Sequence, residues 1–347
     1  MSVDIGDLKL QIPIIGAAMD SVSSVETLRQ LDRLGGMGVV NLCGLISRYG
    51  LSNYDGILKE LVGYPSIATL QNIYNQQPID TGILSTNLRE LKDRLGERVE
   101  FAVSATPQYA ERLFDIAIQY GIRVLIIQSS FISPYWSSKK ATGLNVGKFV
   151  QYMHQNGKIV MVGNVASLNA AVPFIEADID AIIEGVGPGV QCTTRYVLGI
   201  GAGHVTTIDD LREYIEKQKS KTKIIADGGI HTSGDIVKLL CCGAHAVILG
   251  GMIAKTIDAP FPGFHYGMSA FHHTLPRGTL LQTADPGVND TIERLLMGPS
   301  DRADGTLALI PAIKNALSNL GCKDINSAYR DTRVTRFPGV ATEGKIK

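Results

Sequence analysis

Residues 223–250, KIIADGGIHTSGDIVKLLCCGAHAVILG, decide the fold. Residues 223–228 and 246–250 are short runs rich in Ile, Val and Leu, the pattern of strands buried on both faces. Between them, residues 234–242 place apolar side chains at helical spacing. The stretch therefore reads as strand, helix, strand. Cys241 and Cys242 end that helix and are read as packing residues.

The same unit recurs along the chain. Further apolar runs lie at 12–18 (IPIIGAA), 36–42 (GMGVVNL), 100–105 (EFAVSA), 123–128 (RVLIIQ), 158–163 (KIVMVG) and 180–186 (DAIIEGV). Amphipathic stretches at 110–120, 145–155 and 208–217 separate several of them. Eight β/α units predict an α/β fold, a closed (β/α)8 TIM barrel, with an open doubly wound sheet as the alternative. The 347 residues then form one barrel domain rather than two domains. Two segments break the rhythm. Residues 44–96 insert a helix, a short apolar run at 66–70 and polar loops, and residues 255–347 follow the last strand as a flap and C-terminal segment.

At 45% hydrophobic and 19% charged residues, the chain has the apolar material for a large core in a soluble protein. Its 33 basic and 33 acidic residues cancel, so no broad field recruits nucleic acid or an anionic membrane surface. No apolar run approaches the ~20 residues of a membrane span. The five cysteines are odd in number and form no Cys-x-x-Cys pattern, and the N-terminus is not signal-like. Together these predict a reduced, cytoplasmic setting.

In such a barrel the chemistry sits on loops after the C-terminal strand ends. Polar and Gly-rich residues fall there: Ala18-Met19-Asp20, Gln128-Ser129-Ser130, Gly163-Asn164, Gly187 to Cys192, Asp227-Gly228-Gly229 and Gly250-Gly251. The loop Gly185-Val-Gly-Pro-Gly-Val-Gln-Cys192-Thr-Thr-Arg195 lets a flat ligand approach backbone and sulfur together. Cys192 is a candidate nucleophile. Taken alone, such a cysteine reads first as a small buried hydrophobe in a tight turn, the usual fate of a free Cys, and the rest of the chain reverses that reading.

Three loops in order resemble the IMP dehydrogenase/GMP reductase family. GVGPGVQCTTR matches G-x-G-P-G-S-x-C-T-T-R, residues 226–235 (ADGGIHTSGD) match A-D-G-G-I-x-x-S-G-D, and Leu249-Gly250-Gly251 matches L-G-S/G. Ala17-Ala18-Met19-Asp20 is close to S-x-M-D. Within the family the chain resembles the short IMP-dehydrogenase-related bacterial branch, through Asn41-Leu42, Arg48-Tyr49, residues 263–268 (GFHYGM), 275–279 (LPRGT) and 342–345 (TEGK). Residues 44–96 leave no room for the family's tandem regulatory insertion.

The resemblance implies a chemistry. Cys192 adds to C2 of a purine 5′-monophosphate, NAD is the oxidant, and the thioimidate is hydrolysed. Thr194 assists the attacking water, and Arg277 in the flap is the candidate to activate it. Asp227 takes the ribose hydroxyls. Gly228, Gly229, Gly250 and Gly251 offer backbone N–H groups to phosphate, with His265. Met19, Gly267, Met268 and Ser269 contact substrate. Gln128, Ser129, Ser130 and Asn164 lie toward the nicotinamide. The carbonyls of Gly187, Gly189 and Cys192 match a potassium site completed by Glu343 and Gly344 of a neighbouring copy, which implies a homotetramer.

Several positions depart from the family pattern. Ala17, Val190 and Gly251 replace serines, and His265 replaces the tyrosine of the phosphate cup. Each lost hydroxyl to a charged group forfeits roughly 1.5–3 kcal/mol. Arg277 replaces a base-reading Glu or Gln, Gln128 an aspartate and Ile183 a Lys or Arg. No Arg-Tyr pair occurs in 269–290. His265, His272 and His273 have no common zinc spacing and read as flap or substrate contacts. Three functions follow: NAD-dependent oxidation of IMP or a close purine, reductive deamination as in GMP reductase, and purine-nucleotide binding without turnover.

Overall fold

The computed structural model describes residues 1–63, 66–129, 132–138, 141–190, 192–267, 280–282, 290–332 and 334. Its centre is an eight-stranded parallel sheet. The strands are β1 (Ile14–Gly16), β2 (Gly38–Asn41), β3 (Phe101–Ala105), β4 (Val124–Gln128), β5 (Ile159–Val165), β6 (Ala181–Glu184), β7 (Lys223–Asp227) and β8 (Ala246–Leu249). β2 through β8 pair in sequence order and β8 pairs with β1. Met37 closes the seam between β1 and β2: its N–H donates to Ile14 O at 3.1 Å and its carbonyl accepts from Gly16 N at 2.8 Å. The structure is the (β/α)8 barrel predicted from the eight apolar runs.

Helices connect the strands and bury their apolar faces on them. Thr81–Leu95 illustrates the spacing, with Leu84, Leu88, Leu91 and Leu95 buried. Side-chain caps satisfy the free N–H groups at helix starts: Ser24 accepts from Thr27 N, and Thr232 and Asp235 form a reciprocal capping box before Ser233–Cys242. Cys241 and Cys242 are buried at the end of that helix. At Gly163 β5 crowds β6; a Cβ there would lie 2.5 Å from Ile183 Cβ, so only glycine fits.

A hairpin of Val3–Ile5 and Leu8–Leu10 precedes the barrel, and the apolar runs did not reveal it. It lies across the N-terminal strand ends: Arg123, just before β4, pairs with Asp7 at 2.9 Å, and Gly6 abuts Asp180 and Ile159. The excursion after β2 is more helical than expected. Tyr54–Gly63 and Ile67–Gln76 join Thr81–Leu95, and residues 66–70 form a Ser66 cap and first helical turn, not an isolated apolar run. Leu45, Ile57, Leu61, Leu70, Ile73 and Tyr74 form a satellite core with Phe261 and Tyr266. Past β8, Phe264–Tyr266 pairs with Leu280–Gln282, and helices Ile292–Met297, Leu309–Asn319 and Ile325–Asp331 complete the outer layer. Among the described residues, no helix is long and apolar enough to cross a membrane.

Candidate active site

A cavity of about 1120 Å³ opens at the C-terminal strand ends. Cys192, Thr194, Met19, Asp227, Gly228, Gly229, Gly250, Gly251, His265, Gly267, Gln128, Ser129, Asn164, Gly187 and Gly189 all line it. The remaining candidates, Ser130, Met268, Ser269, Arg277, Glu343 and Gly344, lie outside the described residues, as do His272 and His273. The wall also includes Ser104 in β3 and Thr106 and Tyr109 after it, so the cavity crosses the barrel mouth from the β7–β8 side to the β3–β4 side.

The cysteine loop is shaped by its glycines. The Arg195 side chain threads between Gly187 and Gly201; a Cβ at either would lie within 2.8 Å of it. Cys192 N–H donates to Gly189 O at 2.9 Å, and the thiol faces Thr194 Oγ1 at 3.2 Å. Thr194 is buried and Cys192 is half-buried. A second thiol, Cys43, also lines the wall. Burial raises its pKa, only partly opposed by hydrogen bonds with Thr106, which disfavours its thiolate.

Asp227, at the end of β7 beside the cysteine loop, is the hub of a hydrogen-bond network in the wall. Its Oδ2 accepts from Asn164 Nδ2 at 2.8 Å and from Gln128 Nε2 at 3.0 Å. Gln128 Nε2 also reaches Asn164 Oδ1 at 3.0 Å, and Asn164 Nδ2 reaches Gly185 O at 2.9 Å. Burial pushes the Asp227 carboxyl up to about 6, opposed by the Asn164 bond, the His204 charge and the Gln128 bond. Gln128 and Asn164, expected at the cofactor, are thus tied to the carboxylate expected at the ribose. Ser129 N donates to Gly163 O and Asn164 N to Ser129 O, locking the ends of β4 and β5 together.

After β7 and β8 the backbone forms the floor. Gly228 and Gly229 have φ of +86° and +67°, conformations that favour glycine. Both pack on the cysteine loop: a Cβ at Gly229 would lie 2.7 Å from Pro188 O. His265 covers Gly250, where a Cβ would lie 3.2 Å from the ring. Its Nδ1 meets Ser21 Oγ at 3.2 Å, and burial lowers its pKa to about 4, so the ring is neutral. Ala17 lines the wall without a hydroxyl, and Val190 is exposed on the cysteine loop.

Two buried constellations were not found from the sequence. Glu184, the last residue of β6, is hydrogen-bonded to His204 Nδ1, and His204 Nε2 contacts Gly228 O at 2.8 Å. Asp20, after β1, accepts from Tyr74 Oη and from Leu45 N at 3.1 Å. A Glu inside an Ile run is the one sequence signal, since a buried carboxylate needs a partner. No spacing rule leads from Glu184 to His204.

A parallel barrel thus gathers a cysteine loop, a half-buried carboxylate and glycine turns at one mouth. The IMP dehydrogenase / GMP reductase domain matches residues 2–344, and the chain belongs to that family. It is 30% identical over 329 residues to an uncharacterized oxidoreductase of Mycobacterium leprae, covering 91% of this chain and 86% of the relative. It is 27% identical over 342 residues to the inosine-5′-monophosphate dehydrogenase of Methanocaldococcus jannaschii, covering 75% of this chain and 68% of that enzyme. The crystal structure of an IMP dehydrogenase/GMP reductase-like protein from Corynebacterium glutamicum superposes with a TM-score of 0.83 at 27% identity, covering 95% of this chain and 87% of that one.

Proposed function

We propose that this oxidoreductase-family chain oxidises IMP, or a close purine 5′-monophosphate, at C2 through a covalent adduct on Cys192. The observation that carries the reading is that Cys192, Asp227 and the β7 and β8 glycine turns line one cavity. The phosphate sits on the N–H groups of Gly228, Gly229, Gly250 and Gly251, near the neutral His265 ring. The ribose hydroxyls donate to the Asp227 carboxylate. The base lies against Met19 and Gly267, which brings C2 to the Cys192 sulfur. Met268, Ser269 and the flap residue Arg277 belong to the same reading.

Sγ attacks C2 as thiolate, and the loop holds the resulting adduct. Thr194 Oγ1, beside the sulfur, orients the water that releases the product. NAD, when bound, would accept the hydride that leaves C2 as the adduct becomes a thioimidate. A cavity of about 1120 Å³ exceeds the usual range for one small ligand, which leaves room for it beside the nucleotide. Ser129, Gln128 and Asn164 line that part of the wall, and Ser130 belongs to the same reading.

Carbonyl oxygens of Gly187, Gly189 and Cys192 are hard donors suited to potassium, and Gly189 O already accepts from Cys192 N–H. Glu343 and Gly344 of a neighbouring copy complete this set in a homotetramer.

NADH absorbance after mixing protein, IMP and NAD, with and without potassium, tests the reading. Silence in both conditions overturns it. Intact mass after incubation with IMP and NAD should show an adduct, lost in Cys192→Ala. The absence of an Arg-Tyr pair in 269–290 favours a second reading, GMP reductase. NADPH consumption with ammonia release from GMP would replace the first reading by that one. Unchanged ligand binding and cellular phenotype in Cys192→Ala would instead leave a nucleotide-binding protein without turnover.

A further inference from the structure

We propose that Glu184 and His204 are a positioning pair that clamps the Gly228 carbonyl from behind the cavity wall and so holds the phosphate turn and the cysteine loop in register. The proposal rests on the reading of Gly228 and Gly229 as phosphate donors.

Both ring nitrogens of His204 meet oxygen. Nε2 faces Gly228 O at 2.8 Å and Nδ1 faces Glu184 Oε1. A carbonyl only accepts, so Nε2 carries a proton and donates. The second nitrogen and the carboxyl then share one further proton. Glu184 is 1% exposed, and neither residue lines the cavity. The pair acts through its neighbours.

Those neighbours are the working parts of the site. Gly228 follows Asp227 directly, and its left-handed φ of +86° turns the chain at the point His204 grips. A Cβ at Gly228 would lie 3.5 Å from Gly189 N, and Gly189 O receives the Cys192 N–H. On the other side, a Cβ at Gly185 would meet Asp227 O at 2.1 Å and the His204 ring at 3.2 Å, so the start of the cysteine loop is seated on both. One hydrogen bond from His204 therefore fixes the turn on which the loop rests. His204 opens the helix His204–Gln218, whose cap residue Gly203 supplies no side-chain acceptor. A cation there opposes the helix dipole, and the Glu184 carboxylate offsets this. Burial works against the charged ring, but Glu184, Gly228 O and Asp227 together raise the His204 pKa.

The test replaces both members at once, so that neither is left buried and unpaired. Glu184→Met with His204→Met removes the clamp. Glu184→Gln with His204→Gln keeps a donor to Gly228 O. Amide hydrogen exchange is followed by mass spectrometry in peptides spanning 185–192 and 226–231. Cys192 alkylation by iodoacetamide is followed against added IMP. Loss of one hydrogen bond is worth about tenfold, so in the Met pair both peptides should exchange about tenfold faster and protection should need about tenfold more IMP. The Gln pair should return both values to within about threefold of the wild type. A Met pair that exchanges at the wild-type rate overturns the proposal, as does a Gln pair no better than the Met pair. Should the Met pair not fold, His204→Asn takes its place, since the shorter amide reaches Glu184 and not Gly228. If IMP fails to protect even the wild-type thiol, the substrate reading falls, and the exchange rates still decide the clamp.

Discussion

Asp20 and Asp227 are two half-buried carboxyls with the same perturbation and different surroundings. Burial pushes both from 3.8 up to about 6. Asp227 is held by side-chain amides of β4 and of the β5 end, Gln128 and Asn164, and lines the cavity. Asp20 is held by Tyr74, Leu45 and the charge of Arg48, all from the excursion after β2, and does not line it. A shifted carboxyl alone therefore does not mark a reactive site. The surroundings differ: both amides bond the same oxygen of Asp227, which lines the cavity, whereas the Asp20 contacts fasten the satellite core to the barrel.

The largest expected separation comes from truncating each in turn. Asp227→Ala should lower nucleotide affinity by about 10²- to 10⁴-fold, from two lost charged hydrogen bonds at 1.5–3 kcal/mol each, with no fall in urea midpoint at pH 7, since the ionised carboxylate itself costs stability there. Calorimetric titration with IMP checks the affinity. Asp20→Ala should do the reverse, costing about 2–4 kcal/mol of stability at pH 5 by leaving the Leu45 N–H unpaired and removing one partner of Tyr74 Oη, with affinity within about threefold. Denaturant melts of both variants would erase the contrast if their losses proved interchangeable.

A pH series sharpens it. Each folded carboxyl sits above its unfolded value, so its contribution to stability is complete below about pH 4 and is lost as pH rises through about 6. The cost approaches about 3 kcal/mol per carboxyl once both are ionised. Urea midpoints should therefore fall between pH 4 and 7, and Asp20→Asn should remove its own share of that slope. Nucleotide affinity should weaken below about pH 6, because a protonated carboxyl is the poorer acceptor, and the part of that fall due to Asp227 should disappear in Asp227→Asn, leaving the part due to the ligand phosphate. The smallest effect is Tyr74→Phe, about 1–3 kcal/mol of stability and no change in affinity, with the Asp20 carboxyl rising further.

The barrel was legible because Val and Ile runs report strands buried on both faces, and each predicted run contains one strand within a few residues. The cysteine loop was legible because its glycines and Cys192 are contiguous. The Asp20–Tyr74 and Glu184–His204 contacts were not, since each joins residues whose separation is set by packing of helices and loops. The N-terminal hairpin escaped for another reason. Its strands are three residues each, too short for alternation to stand out. Residues 44–96 read as partly irregular because two of the helices there bury their faces on a small local core, not on the sheet.

That hairpin also fixes where cargo can be attached. Its four apolar residues, Val3, Ile5, Leu8 and Leu10, are buried against the blunt end of the cylinder, away from the mouth. A purification tag or fluorophore joined ahead of Met1 would hang on the far side of the molecule from Cys192. Such a handle should leave thiol chemistry undisturbed, whereas trimming the first ten residues would strip the cylinder of its base.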